Sequence, residues 1–292
     1  MKKALYFLDC LGKRLFRPES LKCPNCRGEP ESILDRKHFV ATFARCRNCR
    51  LLFRQPTTPP KVARTFYQSA YTQGYTTDVP NRAELDKMIS AAFKGTERDY
   101  TRFIDLFESI GVRRGARVLE FGCSWGYGAW QIREAGYEVE AFDVSKPRCS
   151  YAAKEIGIPA KWQMDDIQGT FDLIFSSHVI EHVDDISGIL DWMTSKLRPG
   201  GLMVHVTPNG SLHHRNHSPL VWHLLWGEVH PQLIDEEFCQ TRFKKDESFI
   251  MSSPYNYSEL SAKCSEGTLF QGVYGPLKGD EILIILQPKA HK

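Results

Sequence analysis

Two pairs of cysteines near the amino terminus have the spacing of a metal site. The pairs are Cys23 with Cys26 and Cys46 with Cys49, and 19 residues separate them. Each Cys-x-x-Cys pair presents two thiolates on a tight turn, and two pairs brought together give the tetrahedral four-sulfur set that zinc prefers. The spacing therefore predicts a structural zinc ribbon, in preference to redox-active thiols or a chance pattern.

Four arginines stand close to these cysteines in the sequence: Arg27, Arg45, Arg47 and Arg50. Such charges either contact an anionic partner or lie on a solvated surface, and the solvated surface is the commoner case. The net charge of +3 is too small to indicate nucleic acid by itself.

A glycine-rich stretch, LEFGCSWGYG at residues 119–128, follows an apolar segment. Gly122 and Gly126 let the backbone approach a ligand, and the next helix presents free N–H groups. A dinucleotide site needs Gly-x-Gly-x-x-Gly, whereas the order here is Gly-x-x-x-Gly-x-Gly with Ser124 inside it. Glu120 would repel a pyrophosphate but attract a positive group. The stretch therefore favours a zwitterionic or cationic ligand over NAD.

From residue 117 the sequence alternates strands and helices. Apolar segments predict strands at 117–121, 137–145, 159–165, 170–178 and 202–209. Helical patterns occupy residues 124–136, 147–157 and 185–201. This alternation is typical of a doubly wound, mostly parallel α/β sheet, which binds ligands at the carboxyl ends of its strands. Residues 267–288 predict two more strands, joined by a Gly/Pro-rich turn as an antiparallel pair.

The segments upstream of the sheet predict helices and a linker. Residues 83–110 have the spacing of a helix pair, broken near Gly95, that covers the sheet domain. Prolines within residues 54–63 predict an extended linker. An amphipathic helix at the amino terminus, packing on its own domain, would place four leucines on one side: Leu5, Leu8, Leu11 and Leu15. The predicted units are an N-terminal segment 1–20, a zinc ribbon 21–56, a linker and helical cover 57–112, and a sheet domain 113–292.

Composition and length limit the class of protein. With 292 residues, 42% of them hydrophobic and 25% charged, the chain can bury a large core. No apolar run approaches the ~20 residues of a membrane span. Asp9 interrupts the apolar N-terminal stretch, which argues against a signal peptide. Nine unevenly placed cysteines indicate reduced thiols, so we expect a cytoplasmic protein.

Four motifs resemble, in order, those of the class I S-adenosylmethionine-dependent methyltransferases: VLEFGCSWG, VEAFDVS, MDDIQGTFDLIFSSHVIEHV and LRPGGLMVHVTPN. The resemblance covers roughly residues 113–209. It implies the Rossmann-like methyltransferase fold with a seven-stranded sheet, and S-adenosylmethionine as the cofactor.

The resemblance also assigns roles to individual residues. It implies that a cradle for the methionine and ribose parts of the cofactor contains Glu120, Gly122, Cys123 and Gly126. Asp143 would bind the ribose hydroxyls or, alternatively, cap the helix that follows it. Asp165 or Asp166 would contact the adenine amino group, and His178 would line the cofactor site. Ser124 departs from the glycine that family members often carry, and Trp125 either packs in the core or flanks the cofactor.

Methyl transfer needs one general base, for which the sequence offers His182, His178 and His230. The string HVIEH, residues 178–182, also matches the His-x-x-Glu-His of one class of zinc peptidases, but here it directly follows an apolar strand, which disfavours a peptidase. Some relatives that methylate hydroxyls, in the ubiquinone pathway and on small RNA, hold a divalent metal at this string. That similarity would give Glu181 and His182, with a later histidine, a second metal, although the first ligand in those relatives is Glu where this chain has His178.

Other polar and aromatic residues leave alternatives open. His213, His214 and His217 follow the fifth predicted strand and are expected to be exposed loop residues. Trp222, Trp226 and Tyr255 form either an aromatic wall for a substrate or a cap on the core.

The acceptor is the least specified part of the prediction. The strings CPNC, CRNCRLLFRQP and FYQSAY are similar to bacterial methyltransferases of polysaccharide and secondary-metabolite pathways. We therefore expect transfer to a hydroxyl, or to a nitrogen or carbon nucleophile, of a sugar or another small biosynthetic intermediate. RNA is the second choice, since some rRNA methyltransferases carry a four-cysteine zinc site. A non-catalytic binding module is a third possibility, against which the intact cradle argues.

Overall fold

The computed structural model describes residues 2–58, 78–228 and 230–289. The first elements are a helix and a three-stranded antiparallel meander: α1 (Lys2–Phe16), β1 (Pro30–Lys37), β2 (Ala41–Cys46) and β3 (Leu52–Gln55). One cysteine pair lies at the turn before β1 and the other at the turn between β2 and β3. The meander therefore brings the two pairs to the same end of the sheet, as a zinc ribbon requires.

Two helices precede the main sheet, α2 (Arg82–Ser90) and α3 (Thr101–Ser109). Asn81 and Glu84 form a capping box at the start of α2. Gly95 lies between the helices with a positive φ of 71°, a conformation in which glycine is unstrained. The predicted helix pair with a break near Gly95 is confirmed. Half of the predicted linker, residues 59–63, and the string FYQSAY lie outside the described residues.

The central elements alternate as predicted. In chain order they are β4 (Arg117–Phe121), α4 (Tyr127–Glu134), β5 (Glu138–Phe142), α5 (Lys146–Tyr151), β6 (Phe171–Ser177), α6 (Ile186–Ser195) and β7 (Leu197–Pro208). A π-helical turn, Ala152–Ile156, follows α5. Adjacent strands in this group pair in parallel, so their carboxyl ends meet at one edge.

The remaining elements complete two sheets. They are α7 (Leu212–His217), α8 (Pro219–Leu225), β8 (Gln232–Leu233), α9 (Glu236–Arg242), β9 (Ser248–Ser252), α10 (Tyr257–Ser265), β10 (Gly272–Val273) and β11 (Glu281–Leu286). Short 3₁₀ turns occur at Pro18–Leu21, Met164–Asp166, Ile180–His182 and Lys245–Glu247. The main sheet has seven strands in the order β10-β9-β11-β7-β6-β4-β5, in which β11 runs antiparallel to both of its neighbours. The predicted seven-stranded, mostly parallel α/β sheet is confirmed.

Two strand predictions are wrong. Residues 159–165 make a single bridge, Lys161 to Phe142, because most of the segment is exposed and does not supply the buried positions of a regular strand. The expected closing hairpin is also absent from the described residues, since β10 and β11 do not pair with each other. The missed strand β9 lies between them, parallel to β10 and antiparallel to β11.

The amino-terminal helix forms as predicted but packs through an unexpected face. Leu8, Leu11 and Leu15 are 61%, 38% and 66% exposed. The contact with the ribbon is made by buried Cys10 and by Arg14, whose guanidinium donates to the carbonyl of Val40 at 2.7 Å and also to Thr42 Oγ1. The expectation that leucines face the domain is therefore wrong for these three, because Cys10 and the hydrogen bonds of Arg14 lie on the face that meets the ribbon.

None of the helices within residues 2–58, 78–228 and 230–289 combines the length and the apolar character that a membrane crossing requires.

The ribbon and the sheet domain share structural elements. Strand β8, from the sheet domain, pairs antiparallel with β3 and completes a four-stranded sheet β1-β2-β3-β8. On this sheet Phe43 packs against Trp222 and Trp226, with ring centroids 5.6 and 4.9 Å apart. Both tryptophans are buried, so they cap a core between the two units and do not form a substrate wall.

Two of the four ribbon arginines contact carboxylates of the sheet domain. Arg45 Nη2 lies 2.8 Å from Asp235 Oδ2, and their side chains are 3% and 1% exposed. Arg50 pairs with Glu237 at 2.7 Å in a more exposed position. Asp235 also caps α9 by accepting from the N–H of Phe238. Arg45 and Arg50 therefore form ion pairs within the protein, contrary to the expectation of a solvated surface.

We predict that Arg45→Met lowers the free energy of unfolding by about 3 kcal/mol, because it leaves Asp235 buried without its cation. Arg50→Met, the matched control at the exposed pair, should cost less than about 1 kcal/mol. Adding Asp235→Asn to Arg45→Met should restore much of the loss, since the amide oxygen keeps the helix cap. Urea unfolding measures all three, and equal losses for the two arginine variants would contradict the buried pair's importance.

Candidate functional site

The loop after β4 is shaped by two glycines in the left-handed region. Gly122 and Gly126 have φ of 91° and 89°. A Cβ at Gly122 would lie 2.2 Å from Cγ2 of Val179, and one at Gly126 would lie 2.9 Å from Cβ of Ala152. The space that the glycines leave is filled by these side chains, so the glycines let two parts of the protein meet instead of admitting a ligand directly.

Glu120, at the end of β4, is 1% exposed beneath the first turn of α4. Burial raises the pKa of this carboxyl to about 7, although the Tyr100 hydroxyl and the Ala129 N–H, which face it, hold the rise back. Among the described residues neither oxygen receives a hydrogen bond of standard geometry. A buried carboxylate with unmet acceptor capacity favours a nearby donor or cation.

Asp143 follows β5 and ties the glycine loop to the next helix. Its Oδ2 accepts the Ser124 N–H at 2.9 Å, and its Oδ1 accepts the Ser145 N–H at 2.8 Å. Ser145 is the N-cap residue of α5. Burial raises the pKa of Asp143 to about 6, against the two N–H groups. Each oxygen keeps further acceptor capacity, so the predicted capping role and ligand role are compatible.

Ser124, the departure from the family's glycine, has φ of 52°. Its Oγ accepts from Nη1 of buried Arg148 at 2.5 Å. Cys123 beside it is 1% exposed, and burial raises the pKa of its thiol well above the usual range. Trp125 is fully buried against Phe93 and other aromatic rings. Trp125 is therefore a core residue, and Ser124 is held in place through both its N–H and its hydroxyl.

Asp165 and Asp166 lie on the 3₁₀ turn after the Lys161 bridge, and both are exposed. The backbone N–H of Asp143 donates to the carbonyl of Lys161 at 3.0 Å, so this segment runs alongside Asp143. The adenine contact predicted for one of the two carboxylates stays a prediction.

The turn after β6 begins at His178, whose φ is 54°. Its Nε2 lies 2.9 Å from Glu281 Oε1, and its Nδ1 lies 3.5 Å from Glu181 Oε1. Loss of water lowers the pKa of His178, but these two carboxylates outweigh that effect and raise it to about 10. The two carboxylates favour the protonated form of the ring, which disfavours His178 as a base, and the roles of His178, His182 and His230 as bases stay predictions.

Three side chains that the sequence singled out come together beside this turn. Donor atoms of Glu181, His182 and His230 all lie within 4.8 Å of one another. Glu181 is fully buried, and its Oε2 accepts from Thr207 Oγ1 at 3.0 Å. His230 Nδ1 donates to the carbonyl of Leu225 at 2.7 Å, so its Nε2 carries the lone pair. The cluster can therefore bind a cation or accept a proton.

The later histidines are arranged differently from the prediction. His213, His214 and His217 lie on helix α7, not on a loop. His214 is buried, with Nδ1 2.9 Å from the carbonyl of Lys278. The expectation of exposed loop residues is wrong for His214, which holds α7 against the segment before β11.

The four cysteines near the amino terminus form a compact cluster. Sγ of Cys23 lies 3.6 Å from that of Cys49, and Sγ of Cys26 lies 3.4 Å from that of Cys46. All four sulfurs lie within 4.8 Å of one another. Tetrahedral zinc with 2.3 Å bonds would separate its sulfur ligands by about 3.8 Å. The cluster thus fits the size and the chemistry of a zinc site.

Sequence reasoning missed Glu281, which pairs with His178 and with Arg102 at 2.9 Å. It stands at the amino end of β11, where register places it opposite Pro208 at the carboxyl end of β7. Because β11 is antiparallel, its amino end meets the ligand-binding edge of the sheet. The only sign of Glu281 in the sequence is an acidic residue directly before the apolar run ILIIL. Its place in the site follows only when β11 is known to run antiparallel to β7.

Comparisons with known proteins agree with this geometry. Residues 93–245, about half of the chain, match the family described as a methyltransferase domain. This chain belongs to that methyltransferase family. A ubiquinone biosynthesis O-methyltransferase of Rhizobium rhizogenes is 32% identical over 107 residues, which are 34% of this chain and 43% of the relative. One from Methylocella silvestris gives 32% over 107 residues, 34% and 42%. The chain thus spans about two-fifths of the curated relatives that it matches.

Solved structures with related folds include two methyltransferases. The plantazolicin methyltransferase BpumL in complex with SAH is 17% identical, covers 78% of this chain and 96% of that chain, and gives a TM-score of 0.48. A TehB-like SAM-dependent methyltransferase from Corynebacterium glutamicum is also 17% identical, with coverages of 71% and 97% and a TM-score of 0.44.

In this domain the glycine loop and the histidine turn depend on each other at Gly122. We predict that Gly122→Ala lowers the free energy of unfolding by about 3 kcal/mol or more, since it adds both left-handed strain and a clash with Val179. Gly115→Ala is the matched control: Gly115 has φ of 82° with nothing within 4 Å of an added Cβ, so strain alone should cost about 1 kcal/mol. Chemical unfolding of both variants, with Val179→Ala added to the first, tests this. A Val179→Ala change that restores nothing would contradict the contact.

Proposed function

We propose that the protein transfers a methyl group from S-adenosylmethionine to a hydroxyl of a small molecule, such as a sugar or another biosynthetic intermediate. The observation that carries the proposal is the proximity of the Glu181–His182–His230 cluster to the glycine loop. Val179 lies against Gly122 and immediately precedes the turn that carries Glu181. Membership in the methyltransferase family and the names of the O-methyltransferase relatives support the same activity.

The cradle fits the methyl donor in charge and in hydrogen bonding. Glu120 supplies a buried carboxylate with unmet acceptor capacity, which suits the donor's amino group. Asp143 retains acceptor capacity for the ribose hydroxyls after it has bound Ser124 and Ser145. The bound donor would supply an electrophilic methyl group; the residues of the chain hold and orient it.

The acceptor side needs a group that takes the hydroxyl proton. His230 presents Nε2 with a lone pair because Leu225 accepts the hydrogen on Nδ1. The His182 ring is 5.0 Å from the His230 ring, and the Glu181 carboxylate lies 3.8 Å from His182 Nε2. A negative carboxylate beside the two rings stabilises the imidazolium that forms when either ring accepts the proton.

The same three side chains fit a divalent cation. One carboxylate and two imidazoles are donors that such ions bind, and all three atoms are within reach of a common centre. Glu181, His182 and His230 would hold the ion, whose chemistry is to lower the pKa of a coordinated hydroxyl.

Near the amino terminus, we propose that the four-cysteine cluster holds structural zinc.

We predict opposite effects of Glu120→Gln on stability and on cofactor binding. The folded-state pKa of about 7 lies above the ordinary 4.5, so stability of the ligand-free wild type falls as pH rises from 4.5 to 7. At pH 8 the amide should raise the free energy of unfolding by about 1–3 kcal/mol. Calorimetry should show that the variant binds S-adenosylmethionine at least about tenfold more weakly.

The pH dependence provides the internal control for Glu120. Wild-type affinity should increase about tenfold between pH 6 and 8 as Glu120 ionises, beyond any change seen for Glu120→Gln. A variant that loses stability while binding the cofactor unchanged would show that Glu120 serves the helix above it and not the ligand.

The acceptor is tested with labelled methyl donor and separate pools of RNA and small-molecule extract. We expect label in the small-molecule pool, and at least about a hundredfold loss of rate in His230→Phe if its imidazole is the base or a ligand. Removal of metal by a chelator, followed by addition of Mg²⁺, Zn²⁺ or Mn²⁺, separates the two roles. Label in RNA alone would overturn the small-molecule proposal, and an unchanged rate in His230→Phe would exclude this histidine.

A further inference from the structure

The turn that carries Glu181 and His182 is bound to a residue outside its own strand and helix. Gln232 is 1% exposed, and its Nε2 donates to the carbonyl of Ile180 at 3.0 Å and to that of Val183 at 2.5 Å. These two carbonyls bracket Glu181 and His182. One amide group therefore fixes both ends of the catalytic turn.

Gln232 is placed by the ribbon. It lies on β8, whose pairing is with β3 of the ribbon at Phe53 and Leu52. The buried pair of Arg45 with Asp235 fixes the chain three residues further on. The polypeptide around Gln232 is thus held between ribbon and turn, with contacts to both.

A second contact reaches the same region from the zinc knuckle itself. Asn25 lies between Cys23 and Cys26, and its Oδ1 accepts the N–H of Ser187 at 2.9 Å. Ser187 is in the first turn of α6, four residues after Val183. The knuckle therefore satisfies an otherwise free N–H at the start of the helix that follows the catalytic turn.

The ribbon contact also determines where His230 lies. His230 precedes Gln232 by two residues, and the carbonyl of Pro231 between them accepts the N–H of Arg54, on ribbon strand β3, at 2.7 Å. Its partner in the cluster, His182, follows the Ile180 carbonyl that Gln232 binds. Both imidazoles thus come from segments that β8 orders.

We infer that the zinc ribbon is a scaffold for the acceptor side of the active site. Gln232 is the positioning residue, because it is held by the ribbon and in turn fixes the Ile180–Val183 turn. The role of that turn in catalysis rests on the proposed function, whereas the contacts between the ribbon and the turn are independent of it. Two ribbon arginines that would otherwise suit an anionic polymer, Arg45 and Arg50, serve this attachment by pairing with Asp235 and Glu237.

Amide hydrogen exchange of the ligand-free, zinc-loaded protein tests the inference without any methyl transfer. The amides of His182 and Val183 close the turn by donating to Val179 and Ile180. In Gln232→Met, which keeps the side-chain length and removes the donor, we expect exchange at these two amides to become about tenfold faster or more.

The matched control is Gln131→Met. Gln131 is also buried, and its Nε2 donates to two carbonyls, those of Arg98 and Tyr127, away from the turn. Its Oε1 also accepts the Tyr100 N–H at 2.9 Å. Gln131→Met should therefore lose at least as much global stability as Gln232→Met and leave exchange at His182 and Val183 unchanged relative to the global rate. Equal acceleration in the two variants, or none in Gln232→Met, would overturn the positioning role.

Two further measurements extend the test to the ribbon. Asn25→Ala should accelerate exchange at Ser187 and at the turn, while amides of β5 stay protected. Once an acceptor is known, Gln232→Met should lower kcat by about tenfold or more with the Kd for S-adenosylmethionine unchanged, because the turn and not the cradle is disturbed. A variant that weakens cofactor binding and leaves kcat intact would contradict the inference, and an inactive wild type would count against the proposed function alone.

Discussion

The carboxyl edge of the parallel sheet concentrates three buried carboxylates, and the rest of the site depends on how each is stabilised. Glu120 has little compensation, and its pKa rises to about 7. Asp143 receives two backbone N–H groups, which limit the rise to about 6. Glu181 is equally buried, but the adjacent imidazoles hold its pKa near 2. Among the described residues Glu120 therefore lacks a cationic partner, whereas Glu181 has neighbouring imidazoles that stabilise its charge. In the proposed function this gradient would separate a place for a positive cofactor from a place for proton or metal chemistry.

The two sides of the site are held in place by different parts of the chain. The cradle is held by α4, α5 and the loop between them, which are continuous in the chain. The acceptor side instead takes Glu181 from the turn after β6, Glu281 from β11 and His230 from the segment before β8. Local hydrogen bonds, such as that of His230 Nδ1 with the Leu225 carbonyl, hold each segment but do not fix the three segments relative to one another. Their relative order comes from the ribbon sheet, where one buried ion pair and a short strand pairing attach the chain near His230 to a rigid unit.

Local patterns explain which features were predictable from the sequence. The cysteine pairs, the glycine loop and the alternating strands and helices depend on neighbours within a few residues, and the structure confirms their places apart from the strand expected at 159–165. The pairing of β9 between β10 and β11 was missed because a five-residue segment with only three apolar residues gives no sign of its partner strands. The roles of Gln232 and Glu281 depend on contacts across 49 and 103 residues, which periodicity does not encode. The leucine pattern of α1 correctly predicts a helix but not its buried face, because helical spacing alone does not specify which face packs on the domain.

Ser124 shows how a departure from a family pattern is accommodated. A residue with a Cβ at φ of 52° is strained relative to glycine. Here the N–H of Ser124 is bound by Asp143 and its hydroxyl by Arg148, so the strained conformation gains two hydrogen bonds, one of them charge-assisted. Arg148 also lowers the pKa of Asp143 through its charge, which opposes the effect of burial. The serine therefore links the cation to the carboxylate that is proposed to bind ribose, and the loop keeps its shape without the glycine.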